Sequence, residues 1–158
     1  MNVLTINLLF STLVFGIAAR IYLGPRLGEL GFRTVMTPIL LLHAFRHLGL
    51  MFLAPGAIYP GLASEFAVPA AYGDLLAAIL ALVALAAVRA GSRSARALVW
   101  VFNIEGTLDL IDAIILATVY GANRFMGPAY WIPAFWVPAL IVTHAVTFVV
   151  LLRRPRLA

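Results

Sequence analysis

The chain has 158 residues, 64% of them hydrophobic and 11% charged, with a formal net charge of +5 and a mean hydropathy of +1.05. Soluble domains run nearer half apolar and about a quarter charged, so this chain has too little polar surface to cover itself in water, and the integral membrane class follows. Every basic residue is Arg: without Lys there is no Schiff-base chemistry, and without Cys there is no disulfide, thiolate nucleophile, iron–sulfur cluster or c-type haem attachment.

Five apolar segments stand out, at about 2–22, 34–54, 73–90, 97–120 and 129–152. Each is near the ~20 residues that span ~30 Å of hydrocarbon. The first lacks a positive leading region, and its Arg20 follows the apolar run, so it reads as a retained helix rather than a signal peptide. The second, PILLLHAFRHLGLMFLA, carries His43, Arg46 and His47. At α-helical spacing these three cover an arc of roughly 100° and face one direction.

The connection that follows, APGAIYPGLASEFAVPAAYGD, holds three prolines and reads as an apolar connector lying along the membrane interface. Asp74 ends it, beside Gly73, and reads as an interfacial cap of the third helix. Glu29 and Glu65 read as solvated.

The fourth segment, VWVFNIEGTLDLIDAIILATVYG, is the most informative. Glu105, Asp109 and Asp112 follow i, i+4, i+7 spacing and share one helical face. Asn103 and Thr107 project from the opposite side, so one of the two faces is expected to meet helix 1 or a second subunit. The fifth segment opens with Pro128, Pro133 and Pro138 at five-residue intervals. Proline removes a donor and clashes with the preceding turn, so a kinked or wound first half is expected. Tyr130 and Trp131 sit where an aromatic belt would. Phe135 and Trp136 lie deeper, as candidates to line an apolar pocket, and His144 falls near mid-membrane.

Arg20, Arg26 and Arg33 separate segments 1 and 2, Arg89, Arg93 and Arg96 separate 3 and 4, and Arg153, Arg154 and Arg156 close the chain. The 2–3 connection holds no Arg and the 4–5 connection only Arg124. The positive-inside rule then puts the N-terminus outside and the C-terminus in the cytoplasm. The fold expected is a single all-α domain, a five-transmembrane-helix bundle crossing the cell inner (plasma) membrane. Its basic residues lie between apolar segments rather than on a soluble face, so nucleic acid is not expected as a partner.

Ionisable groups at membrane depth cost roughly 2.5–3.5 kcal/mol each on insertion scales and usually mark function. Helices 2, 4 and 5 can surround one polar core. One Arg46 cation against three carboxylates leaves −2, which a low-dielectric site does not hold, so a proton, a charged histidine or a bound cation is required. A buried lock between Arg46 and Asp109, pinning helix 2 to helix 4, is the purely architectural alternative.

Three functional readings follow. The leading one is a membrane-embedded acid–base enzyme doing isomerase- or cyclase-like proton transfer on a lipid or isoprenoid. Glu105 and Asp109 would act as acid and base, Arg46 would hold an anion, and His43 and His47 would relay protons. Asp112, Asn103, His144, Trp136 and Phe135 would bind the substrate. The second is a proton-coupled transporter using the same relay. The third is a divalent metal on the HxxxH pair His43 and His47, or a b-type haem held between His144 and one of them. No cofactor is favoured. Membrane lipid or a hydrophobic small molecule is the expected partner, with a homo-oligomer as an option.

Overall fold

A computed structural model describes residues 2–153; Arg154 and Arg156, read above as topology signals, lie outside the described residues. All regular structure among the described residues is helical. α1 (Val3–Ala18) is prolonged by a π turn, Ala19–Leu23, and a 3₁₀ turn, Gly24–Arg26. α2 (Phe32–Ala44) runs directly into a 3₁₀ segment, Phe45–Leu53. α3 (Ser64–Arg89) and α4 (Ala95–Val119) follow, and α5 (Val137–Leu152) is entered through a 3₁₀ turn, Gly127–Tyr130, and a π turn, Ile132–Trp136.

Four rods are long and apolar enough to cross a membrane: Val3–Arg26, Phe32–Leu53, Ser64–Arg89 and Gly127–Leu152, of 24, 22, 26 and 26 residues. α4 has 25 residues, but Arg96, Glu105, Asp109 and Asp112 interrupt its apolar run.

α3 and α5 each pack against both α2 and α4, which face one another across a diagonal with few direct contacts. α1 lies outside this group of four, against α5 and its π turn, with only Leu4 buried. Two apolar clusters fill the bundle. At the arginine-rich end, Met36, Leu40, Ala81, Ala84, Val99 and Phe102 form an apolar core. At the far end, Phe52, Phe66, Ala70, Met126 and Ile132 form the second. Buried polar residues lie between them.

The third helix starts at Ser64 rather than near residue 73, which corrects the connector reading. Ala63 is extended, and Glu65 sits in the first turn, where the positive end of the helix dipole favours it. Pro69 lies inside the helix, and Phe66, Ala67, Ala70 and Ala71 bury its opening turns. The prolines suggested a loop, but proline is tolerated in helices that pack against neighbours at membrane depth. The loop that remains is tied to the opposite connection by Tyr59 N donating to Phe125 O (2.9 Å) and Ala129 N donating to Ala57 O (2.8 Å).

The 3₁₀ segment turns three residues at a time, so residues at i and i+3 eclipse. Arg46, Gly49 and Phe52 are its buried residues, at that spacing. His47 is therefore rotated about 120° from Arg46 and is exposed. The shared-face expectation for His43, Arg46 and His47 assumed α-helical winding through residue 47 and is corrected here. The wound entry to the fifth helix follows the proline expectation. Pro138 has no N–H to offer, and the Val137 N–H reaches back five residues to Ile132 O.

α3 buries a face of small residues that includes Ala67, Ala70, Ala77, Ala78, Ala81 and Ala84. Small residues let helix backbones approach closely. The approach is closest where the Cα of Gly49 meets Asp74 and the Cα of Gly73 meets Asp109; a Cβ on either glycine would overlap the facing carboxyl group. Gly49→Ala puts its methyl 2.6 Å from Asp74 Cβ, an atom fixed by the helix. We expect it to cost about 1–3 kcal/mol, read as a lower melting temperature of the detergent-solubilised protein. A Gly49→Ala protein that melts with the parent would refute this close packing.

Candidate functional site

The site is built around one guanidinium. Arg46 reaches inward from the 3₁₀ segment and is 1% exposed. Its Nε donates to Asp74 Oδ1 of α3 at 2.7 Å, and its Nη2 donates to Asp109 Oδ2 of α4. Nη1 donates to the Gly106 carbonyl at 3.0 Å and lies 3.3 Å from His144 Nε2 of α5. One side chain thus ties together all four helices of the central group. The Gly106 carbonyl is within reach because the residue lacks a Cβ: a methyl there would sit 2.7 Å from Arg46 Nη1 and from His144 Cε1.

The hydrogen-bond pattern sets the histidine tautomers. Arg46 can only donate, so His144 Nε2 accepts and its proton sits on Nδ1. That Nδ1–H donates to Asn103 Oδ1 at 2.8 Å. Asn103 Nδ2 donates in turn to the His144 carbonyl at 3.4 Å. His43 Nε2 lies 2.9 Å from Thr143 Oγ1, whose own proton is directed to the Ala139 and Leu140 carbonyls at 2.9 and 3.0 Å. His43 therefore donates through Nε2, leaving Nδ1 as a buried acceptor without a partner. The His43 and His144 rings pack 4.3 Å apart, and Phe102 stacks on His144 with ring centroids at 5.3 Å.

The structure thus brings together His43, Arg46, Asn103, Asp109 and His144 from the sequence-derived set. It leaves others outside. His47 is exposed and its Nδ1 donates to its own helix, at Ala44 O (2.9 Å). Asp112 and Phe135 are exposed as well. Glu105 is half-buried, does not bond Arg46, and has Oε2 buried without a partner. Trp136 is half-buried, with Nε1 likewise unpartnered.

Asp74 is the residue that sequence reasoning missed. It is 8% exposed and paired with Arg46, rather than an interfacial cap. The available signal was the apolar run on both of its sides, FAVPAAYG and LLAAIL, which continues once Pro69 is allowed inside a helix. Asn103 lies beside His144, so the Asn103 side of α4 and Asp109 both contribute to one core. The expected division of α4 into two separate faces does not hold. α4 rolls between α3 and α5, and Arg46 is long enough to reach both flanks.

A cavity of about 170 Å³ opens at the far end between α1, α3, α4 and the π turn. Its walls are mostly apolar, among them Leu4, Phe66, Ala70, Leu110, Ile132 and Val137. Asn2, Thr5, Thr118 and Asn123 also line it, and Asp74 is the one ionisable lining residue. Phe135 and Trp136 do not line it; Ile132, Pro133 and Val137 supply the wall from that segment.

The donor set does not suit a metal or haem. Among the described residues no three His, Cys, Asp or Glu groups are arranged to hold a metal ion. Three of the four ring nitrogens of His43 and His144 are already bonded, and the rings touch where an iron would have to stand between them.

A family model described as Domain of unknown function (DUF8737) matches residues 3–152, and the chain belongs to that family. No curated protein and no solved structure matches the chain.

Arg46→Met strands the carboxylates of buried Asp74 and half-buried Asp109 and is expected to destabilise by about 3–5 kcal/mol. Adding Asp74→Asn and Asp109→Asn to it removes the stranded charge and is expected to recover most of that loss. Thermal unfolding in detergent compares the three proteins. Equal melting of Arg46→Met and the parent would show that the guanidinium does not hold the helices together.

Proposed function

We propose that this member of the DUF8737 family is a membrane-embedded acid–base enzyme that moves a proton on a lipid-like or isoprenoid substrate. The observation that carries the reading is the position of Asp74, which is at once a partner of Arg46 and the sole ionisable group on the wall of an apolar cavity. General acid–base chemistry needs a titratable group within reach of a substrate carbon or oxygen, and surroundings that set its protonation. Arg46 with Asp74 and Asp109 sums to −1 when both acids are ionised, so one shared proton balances the trio.

In a one-base isomerisation, Asp74 gives that proton to one carbon of an allylic or enol-type system. It then takes a proton from the allylic carbon on the far side of the cationic centre so formed, so the double bond shifts by one position and the enzyme returns to its starting state. Asp109 and Arg46 hold the charge while Asp74 is ionised. Asn103 and His144 are positioning residues that brace Arg46. Glu105, the other acid favoured by its spacing, touches neither Arg46 nor the cavity lining, which moves the first role to Asp74.

One-sided access favours an enzyme over a carrier. The cavity reaches Asp74 from the far end, and the arginine-rich half beyond it is an apolar core. A carrier must open to both sides in turn, and the apolar packing on the arginine-rich side would have to part for that.

The proposed placement is a five-span protein of the inner membrane, with α4 as the fifth crossing, its acids turned inward or covered. The arginine-rich end would be cytoplasmic and the N-terminus outside. Alkaline phosphatase fused after residue 58 or 123 is expected to be active, and fluorescent protein fused after residue 28 or 92 to be bright. The reverse pattern overturns the orientation.

Solvent deuterium tests the chemistry. The purified protein, incubated with membrane lipid extract of the source cells in heavy water, is expected to add one deuterium to a defined lipid species. Asp74→Asn and Asp109→Asn should slow this by about 10²–10⁴-fold while still accumulating in the membrane. Labelling by Asp74→Asn at the parental rate, or no labelled lipid at all, overturns the proposal.

A further inference from the structure

The cavity changes character along its length. Around Asp74 its walls are apolar, with Phe66, Ala70 and Leu110 among them. Its outer rim carries Asn2, just before α1, Thr118 in the last turn of α4, and Asn123. These groups are polar and uncharged, and their hydrogen bonds are only partly spent. Asn2 Oδ1 accepts from Thr5 N (2.9 Å) and Thr5 Oγ1 (3.0 Å), which leaves Nδ2 as a donor. Thr118 Oγ1 donates to Ile114 O (2.8 Å), which leaves that oxygen as an acceptor. A hydroxyl both gives and takes a hydrogen bond, so it suits this rim. Arg124 is exposed and does not line the cavity, and among the described lining residues there is no Arg or His to meet an anionic head.

The depth is set along α4. Gly73 packs on Asp109, which puts Asp74 within a turn of Leu110, its neighbour in the cavity wall. From Leu110 to Thr118 is eight residues, about 12 Å. A volume of about 170 Å³ spread over that length admits a single chain. The trio sets the kind of chain. A proton placed on a carbon–carbon double bond leaves a cation, and Asp74 with Asp109 against one Arg46 supplies the opposing charge once Asp74 has given its proton. That cation forms readily on a branched carbon, as in an isoprene unit, and not in a straight acyl chain. We propose that the substrate is a single-chain isoprenoid with a hydroxyl head, and that the cavity measures it. The hydroxyl stays at the rim, and the third isoprene unit, about 12 Å below it, lies against Asp74. Asp74 protonates the unbranched carbon of that unit's double bond and leaves the charge on the branched carbon. It then takes a proton from the adjacent allylic carbon, so one hydrogen enters, one leaves and no redox partner is needed. This rests on the acid–base reading of Asp74 above.

Geraniol, farnesol and geranylgeraniol, each longer than the last by one isoprene unit, test the length. Each is incubated with the purified protein in heavy water, and the deuterium is located by tandem mass spectrometry. Geraniol is expected to stay unlabelled. Farnesol and geranylgeraniol are expected to take up deuterium in the same unit, third from the hydroxyl, although that unit is terminal in the first and internal in the second. Asn123→Leu is expected to raise KM for farnesol about 3–10-fold and to let label enter neighbouring units. Farnesyl diphosphate, the same chain with a charged head, is expected to react more slowly than farnesol. Label confined to the last unit of every alcohol, equal labelling of all three, a preference for the diphosphate, or parental labelling by Asn123→Leu overturns the proposal. Deuterium that enters the lipid extract while all three alcohols stay unlabelled overturns it too and leaves the acid–base reading standing. Failure of both experiments removes both.

Discussion

Everything in the centre of this bundle depends on burying one arginine. A guanidinium stays protonated at any working pH and presents five donors in a fixed plane. Removing it from water is tolerable only if those donors are met and the charge is opposed. Arg46 obtains both from three directions: a carboxylate on α3, a carboxylate and a carbonyl on α4, and an imidazole on α5. Helices without a hydrophobic force between them in lipid need such polar contacts to fix their register. The register of four helices is written in one side chain.

That contact requires short distances, and the small residues provide them. Gly49, Gly73 and Gly106 each sit where a side chain would collide with a member of the network. The alanine face of α3 lets its neighbours approach along its length. The 3₁₀ winding of Phe45–Leu53 belongs to the same economy of space. A helix that turns three residues at a time keeps Arg46, Gly49 and Phe52 in one line, so the arginine, its glycine neighbour and the aromatic beyond all face α3. With α-helical winding the same residues would drift around the axis, and Gly49 would leave Asp74.

The sequence made the polar core visible but misjudged its membership, and the reasons are local. Acids, arginine and histidines inside apolar runs announced themselves through cost, which placed Arg46, Asp109, His43 and His144 near one another. The wound entry to the fifth helix was legible because a missing N–H is a property of proline itself. His47 was assigned by an α-helical period that the chain abandons after Ala44, a change no residue type announces. Asp74 was hidden by Pro69, since the usual meaning of proline as a breaker gives way where neighbouring helices hold the turn. The pairing of Asn103 with His144 was illegible for another reason: it depends on how α4 is rolled between α3 and α5, which helical spacing alone does not fix.

The division of the bundle into unlike halves gives the network a direction. On the arginine-rich side of Arg46, aliphatic and aromatic side chains close the space. On the other side, prolines force a π turn, α1 stands slightly apart, and a cavity reaches Asp74. A symmetric lock between helices would need neither the cavity nor a second carboxylate, because one acid already opposes one arginine. The additional acid is the one the cavity touches. Excess negative charge at that point is unfavourable unless a proton or a positively charged group of a ligand joins it. The fold thus places the uncompensated charge of the Arg46 trio at a position that the apolar cavity reaches.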